Sequence, residues 1–87
     1  MQENKQILKN TLAKQIKILR KKSKKSISLL SDEVNLSKSI WSDLEKGVKD
    51  PQFSTLWRIS ESLNIPLSKI IAAIEKELKN SISFIED

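Results

Sequence analysis

Apolar residues return at steps of three and four along nearly the whole of this chain, a spacing that admits packed α-helices and little else. Leu8, Leu12, Ile16 and Leu19 form the first such series, with lysines in many of the intervening positions, and predict a helix from about Lys5 to Lys22. A sandwich or barrel of short strands would need frequent turn residues, yet there is one Gly and there are two Pro in 87 residues. The fold class is therefore all-α.

The breaks between helices have local causes. The polar, basic loop Ser23-Lys24-Lys25-Ser26 ends the first helix, and Ser26 can open a second, Ile27 to Val34, by accepting a hydrogen bond from a free backbone N–H. Asn35 tolerates the left-handed conformation that turns a chain sharply out of a helix. Ser37 then caps a third helix, Lys38 to Lys46, in which Ile40, Trp41 and Leu44 have helical spacing; Gly47 stops it. Val48 to Pro51 is a loop, because the residue before a proline avoids the helical region. A fourth helix lies within Gln52 to Leu63, with Phe53, Leu56, Ile59 and Leu63 expected inward. Asn64-Ile65-Pro66 breaks it, and a fifth runs from about Leu67 to Leu78 or Lys79 with Leu67, Ile70, Ile71, Ile74 and Leu78 on its apolar stripe. Ser81 to Ile85 alternates like a short strand before the chain turns acidic at Glu86-Asp87.

A chain of this length holds one core, so residues 1–80 read as a single domain and 81–87 as a tail. With no Cys and no His, disulfides, Cys/His zinc sites, cysteine nucleophiles and a Ser-His-Asp triad are excluded within it. No cluster of carboxylates and no phosphate-cradling glycines appear, so neither a cofactor nor a metal nor enzymatic activity is expected. The longest purely apolar run, Ile70 to Ile74, is far shorter than the roughly 18 residues of a membrane-spanning helix, and a cytoplasmic location is the expectation.

Charge is unevenly placed. Through Lys25 there are nine Lys/Arg against one acid, and from Ser26 onward seven against ten, giving +5 in all. A basic first segment suits a protein that meets a polyanion with one face. It equally describes a solvated lysine-rich helix.

Two short helices joined by a tight turn at Asn35, with a basic helix before them, make a helix-turn-helix pattern. The matching residues run further: Leu19-Arg20; Ser26, Leu30 and Val34; Leu36-Ser37, Ile40-Trp41 and Leu44-Glu45-Lys46-Gly47; then Pro51, Leu56, Ile59, Leu63-Asn64-Ile65 and Ile70. Over Arg20 to Ile70 the chain resembles the Xre-type helix-turn-helix family, the DNA-binding domains of Cro and the phage repressors. The resemblance implies a five-helix, lambda-repressor-like bundle, extended here by a C-terminal helix and tail, whose second and third helices dock on double-stranded DNA. Three positions depart from the family pattern: Ser31 where Ala is usual, Asn35 where the turn often has Gly, and Ile27 where a phosphate-binding Gln usually begins the second helix.

By the same resemblance Arg20 and Glu45 form an ion pair between the first and third helices. A helix inserted in the major groove reads bases with its N-terminal turns, which selects Lys38, Ser39, Ser42 and Asp43, with Ile40 near a thymine methyl. Phosphates fall to Lys24, Lys25 and Ser26 before the second helix and to Ser37, Lys46 and Lys49 around the third; Lys5 and Lys9 are expected in solvent. Trp41 and Trp57 are expected in the core.

The expected assembly is a homodimer on an inverted repeat, its interface drawn from Ile74, Leu78, Ile82, Phe84 and Ile85, unless the tail folds back on its own core. The expected function is that of a sequence-specific transcriptional regulator, a repressor because little remains to contact polymerase or sense a ligand. A restriction-modification controller and an antitoxin fit the same domain, and a protein partner, toxin or polymerase, stays unresolved. The second reading is a protein-interaction module with weak DNA binding, which Asp43 and the acidic second half favour.

Overall fold

The computed structural model describes residues 2–79 and 81–85. It has five helices: α1 (Gln2–Ser23), α2 (Ile27–Glu33), α3 (Lys38–Glu45), α4 (Phe53–Leu63) and α5 (Leu67–Leu78). The expected all-α, five-helix bundle is what forms. Its α1 starts three residues earlier than the apolar series predicts, because polar side chains anchor the first turns. Asn4 Nδ2 donates to the Ser83 carbonyl (2.8 Å) and Gln6 Nε2 to the Gly47 carbonyl (3.0 Å). Glu3, in the first turn, complements the positive end of the helix dipole.

The caps are where the serines predict them. The hydroxyl of Ser26 accepts from the Leu29 N–H (3.1 Å) and that of Ser37 from the Ile40 N–H (3.2 Å). The turn between α2 and α3 puts Asn35 at φ 56° and closes with Leu36 N–H donating to the Ser31 carbonyl (2.9 Å). Asn64 repeats the left-handed exit after α4, at φ 58°.

The core gathers Ile16 from α1, Leu30 from α2, Trp41 and Leu44 from α3, and Ile59 from α4, all essentially sealed from water. Leu12, Leu63, Ile70, Ile74 and Leu78 close its ends. α1 packs against α3, α4 and α5, while α2 packs against α3 and α4. This leaves α2 and α3 on the rim of the bundle, as a helix pair needs to be if it is to meet a partner with one face.

Three expectations are corrected. Trp57 is 54% exposed and Phe53 69% exposed, so neither belongs to the core. The buried side of α4 is Ile59, Ser60, Ser62 and Leu63, which turns positions 53 and 57 outward. The serines are accommodated because Ser60 Oγ donates to the Trp57 carbonyl and Ser62 Oγ to the Leu30 carbonyl, each at 2.7 Å. Finally, no strand forms among the described residues. Ser81 N–H donates to the Leu78 carbonyl, Ile82 packs on the core, and Phe84 and Ile85 lie exposed. The domain boundary expected at residue 80 and the acidic Glu86-Asp87 lie outside the described residues.

Candidate nucleic-acid interface

The inward side of α3 is fixed by Trp41 and Leu44, and the helix period then decides what faces out. Lys38 and Ser39 are exposed, and Ser42 and Asp43 half-buried, on the side away from the core. Ile40 is 39% exposed beside them, at the edge of a cleft shared with Lys49, Pro51 and Thr55. The four side chains singled out for base contact thus lie on the solvent side of a two-turn helix.

What holds α3 at its angle is a carboxylate. Glu45 accepts from Arg20 Nε and, through its other oxygen, from Arg20 Nη2 (2.9 Å), while Trp41 Nε1 donates to it at 2.8 Å. The Glu45 side chain is 7% exposed and that of Arg20 19%. Three donors on one shielded carboxylate satisfy the desolvated charge that would otherwise be costly to bury. The guanidinium pKa is raised above its ordinary value, first by the hydrogen bond to Glu45, with desolvation opposing and the Glu45 charge adding. Two of the donors belong to Arg20 of α1 and the third to Trp41 of α3, the helix that carries Glu45, so the carboxylate ties α3 to α1.

The expected phosphate-contact residues are all exposed. Lys24, Lys25 and Ser26 are exposed at the α1–α2 loop; Ser37, Lys46 and Lys49 are exposed around α3. Lys25 is also within 3.3 Å of Glu33, and Ser37 Oγ lies 3.2 Å from Ser39 Oγ. The cap serines each accept one backbone N–H, which leaves the Ser26 hydroxyl proton free to donate to an anionic oxygen, whereas the Ser37 hydroxyl is also paired with that of Ser39. Of the two lysines expected in solvent, Lys5 is exposed, 3.6 Å from the equally exposed Asp50, while Lys9 is half-buried.

Two lysines escape the sequence reading. Lys17 and Lys21 of α1 line a groove of about 330 Å³ with Lys14 and Lys46, at the C-terminal end of α3. The acid in that lining, Glu45, is engaged by Arg20 and Trp41. Their signal was the step of four that puts both on one side of α1, next in line to Arg20. The expected interface residues divide differently: Ile74 and Leu78 are buried in the chain's own core, Ile82 packs against it, and only Phe84 and Ile85 are outward.

A helix-turn-helix family model, HTH_3, matches residues 16–70, which takes in the end of α1, the α2–turn–α3 unit and the start of α5. The chain belongs to the HTH_3 helix-turn-helix family. Among curated proteins it is similar to the HTH-type transcriptional regulator SutR of Escherichia coli (strain K12), 33% identical over 61 residues that cover 70% of this chain and 34% of that one. It is also similar to the immunity repressor protein of Bacillus phage phi105, 34% identical over 61 residues, 70% of this chain and 42% of that one. The chain therefore spans between a third and a half of the length of these relatives. Among solved structures, an HTH_3 family transcriptional regulator from Vibrio cholerae superposes with a TM-score of 0.77 at 29% identity, over 92% of this chain and 45% of that one. Among the described residues no group of acids resembles a metal site, and no helix is long and apolar enough to cross a membrane.

Proposed function

We propose that the chain binds double-stranded DNA sequence-specifically and regulates transcription as a repressor, inserting α3 in the major groove. The observation that carries this is the solvent-facing row Lys38, Ser39, Ser42 and Asp43 on a helix clamped from behind by Trp41 and by the Arg20–Glu45 pair. Membership of the HTH_3 family and the names of the relatives, two regulators and a repressor, support the same reading. Lys38 suits guanine O6 and N7, the serines are permissive, and Asp43 accepts from cytosine N4 while repelling phosphate. Lys24, Lys25, Ser26, Ser37, Lys46 and Lys49 position the duplex through its phosphates, and Lys17 and Lys21 extend that row along α1. One module of this size covers limited DNA, so the working form is a homodimer on an inverted repeat.

Selection of bound duplexes from a random library tests this reading. Enrichment of an inverted repeat is expected. With about six phosphates neutralised, affinity falls by roughly three decades between 50 and 200 mM salt. No enrichment together with a flat salt response overturns the proposal.

A further inference from the structure

Where α1, α4 and α5 meet, Leu8 and Leu12, Leu56, and Ile71 and Ile74 line a pocket of about 220 Å³. It has a local cause: α4 turns Phe53 and Trp57 to solvent, so its first turn leaves only Leu56 to fill the space between α1 and α5. Domain interiors rarely leave a hollow of this size, and one walled by aliphatic side chains gives water little to bond to. Leu12 and Ile74 are buried and form its floor, while Ile71, 38% exposed, belongs to its mouth. Three charged residues border it. Lys9 and Glu75 carry opposite charges, and Asp50, the third, stands 3.6 Å from Lys5. The mouth is therefore balanced in charge. Asp50 and Pro51 belong to the loop between α3 and α4, and the same two residues also wall the cleft that holds Ile40 and Lys49. The two hollows thus share that stretch of loop as a common wall.

We propose that this pocket binds a small uncharged molecule with an aliphatic or single-ring body, and that its occupancy strengthens DNA binding through the α3–α4 loop. Size sets the class. An apolar cavity of about 150 Å³ takes benzene, so at equal packing this one takes a body of about nine carbon atoms. A helix, about 10 Å across with its side chains, does not enter it. Charge sets the head group: with Lys9 and Lys5 offset by Glu75 and Asp50, a net charge on the ligand gains nothing over none. The loop is where the two sites meet. α1 holds it through Lys5 at Asp50 and through Gln6, whose Nε2 donates to the Gly47 carbonyl, and Lys49 projects beside α3 from between these anchors. A molecule that fits the pocket as it stands favours this setting of the loop over others, and the duplex that uses Lys49 and Ile40 favours the same one, so each ligand helps the other. In a repressor such a molecule is a corepressor.

The regulatory step rests on the DNA-binding reading; the binding step does not, and it is tested first without DNA. Straight-chain alcohols from butanol to decanol, titrated against the methyl NMR signals of the chain, are expected to give saturable one-to-one shifts at Leu8, Leu56 and Ile71. Affinity should rise about fourfold per added carbon and level off near nine. Hexylamine and hexanoate should bind several-fold more weakly than hexanol, and Glu75→Lys should bring hexanoate above hexylamine. Ile71→Phe at the mouth and Leu8→Phe on the α1 wall each put a ring into the space and are expected to abolish the Leu56 shifts; the second decides the matter if the first does not fold. Shifts that grow at every methyl without saturating, or an affinity indifferent to chain length, overturn the proposal. So do shifts at these methyls on simple dilution, which would mean that a second copy fills the pocket. On the selected duplex, saturating octanol is expected to tighten binding about fivefold or more, and the duplex to tighten octanol binding by the same factor. Octanol that saturates the pocket and leaves duplex affinity unchanged or weaker overturns the regulatory step. If no duplex is bound with or without octanol, the DNA-binding reading fails while the methyl titration still decides the pocket.

Discussion

Arg20 and Glu45, twenty-five residues apart in the chain, meet through two parallel hydrogen bonds, and the indole of Trp41 completes the set on the same carboxylate. Removing the carboxylate strands a guanidinium and an indole N–H in a largely dry seam. Glu45→Ala is therefore expected to lower unfolding stability by about 3 kcal/mol, and Glu45→Gln by less, because the amide oxygen still accepts. Urea melts of the two variants check this, and an unchanged midpoint for Glu45→Ala would remove the pair from the account of stability. The pH sign follows from Arg20. Its pKa is raised in the folded chain, so its contribution is complete below the ordinary guanidinium value and fades only as pH climbs through the raised one. Arg20 itself should add no slope to stability across the neutral and mildly alkaline range.

Ser31 is buried to 1% exposure, and its hydroxyl has no hydrogen-bond partner. It sits on α2, beside the turn into α3. An unsatisfied buried hydroxyl costs about 1–3 kcal/mol, and alanine is also the better helix former. Ser31→Ala should stabilise the domain by about 1 kcal/mol, read as a rise in the urea midpoint at constant slope. A fall would mean that the hydroxyl is engaged after all.

The helices and their caps were legible because each is a local matter. A serine can satisfy a free N–H, an asparagine can turn left-handed, and the apolar step of three or four repeats within a few residues. Trp57 and Phe53 were misplaced because that step fixes only which residues share a side of a helix. On α4 two sides qualify, and the bundle chose the one bearing Ile59 and Leu63, with Ser60 and Ser62 made burial-compatible by bonds to carbonyls that no sequence pattern announces. The tail failed for the related reason that alternation in so short a segment competes with one isoleucine, Ile82, finding the core. Within the candidate interface, α3 could be read directly from its caps and period. The convergence of Lys17 and Lys21 on the end of α3 could not, since it depends on where α1 crosses.

Two turns offer a sharper contrast. Gly47 has φ +72°, and a Cβ built on it would stand 2.5 Å from Asn10 Oδ1, an atom that also accepts from Gln6. Gly47→Ala thus meets both backbone strain and a side chain held in place, and should cost about 2 kcal/mol. Asn35, also left-handed but exposed, should lose about 1 kcal/mol as Asn35→Ala and almost nothing as Asn35→Gly. Thermal melts of the three variants rank them. Equal losses for Asn35→Ala and Asn35→Gly would show that the turn depends on the asparagine side chain and not on its backbone.

Lysines that touch phosphate and side chains that touch bases should separate by what they do to salt dependence. Lys46 is exposed at the C-cap of α3, in the lining of the groove that Lys17 and Lys21 share. Lys46→Ala is expected to weaken all duplexes alike and to reduce the slope of log affinity against log salt by about one. Asp43 stands within the row and carries the wrong charge for phosphate. Asp43→Asn should raise affinity for unselected duplexes while flattening the preference at one base pair by about 1–3 kcal/mol, with little change in preference elsewhere. Competition binding at several salt concentrations, on the selected site and its single-base variants, reads both effects together. If Asp43→Asn shifted every duplex equally, Asp43 would be acting through the general field of the face; a change confined to one position places its carboxylate against a base edge.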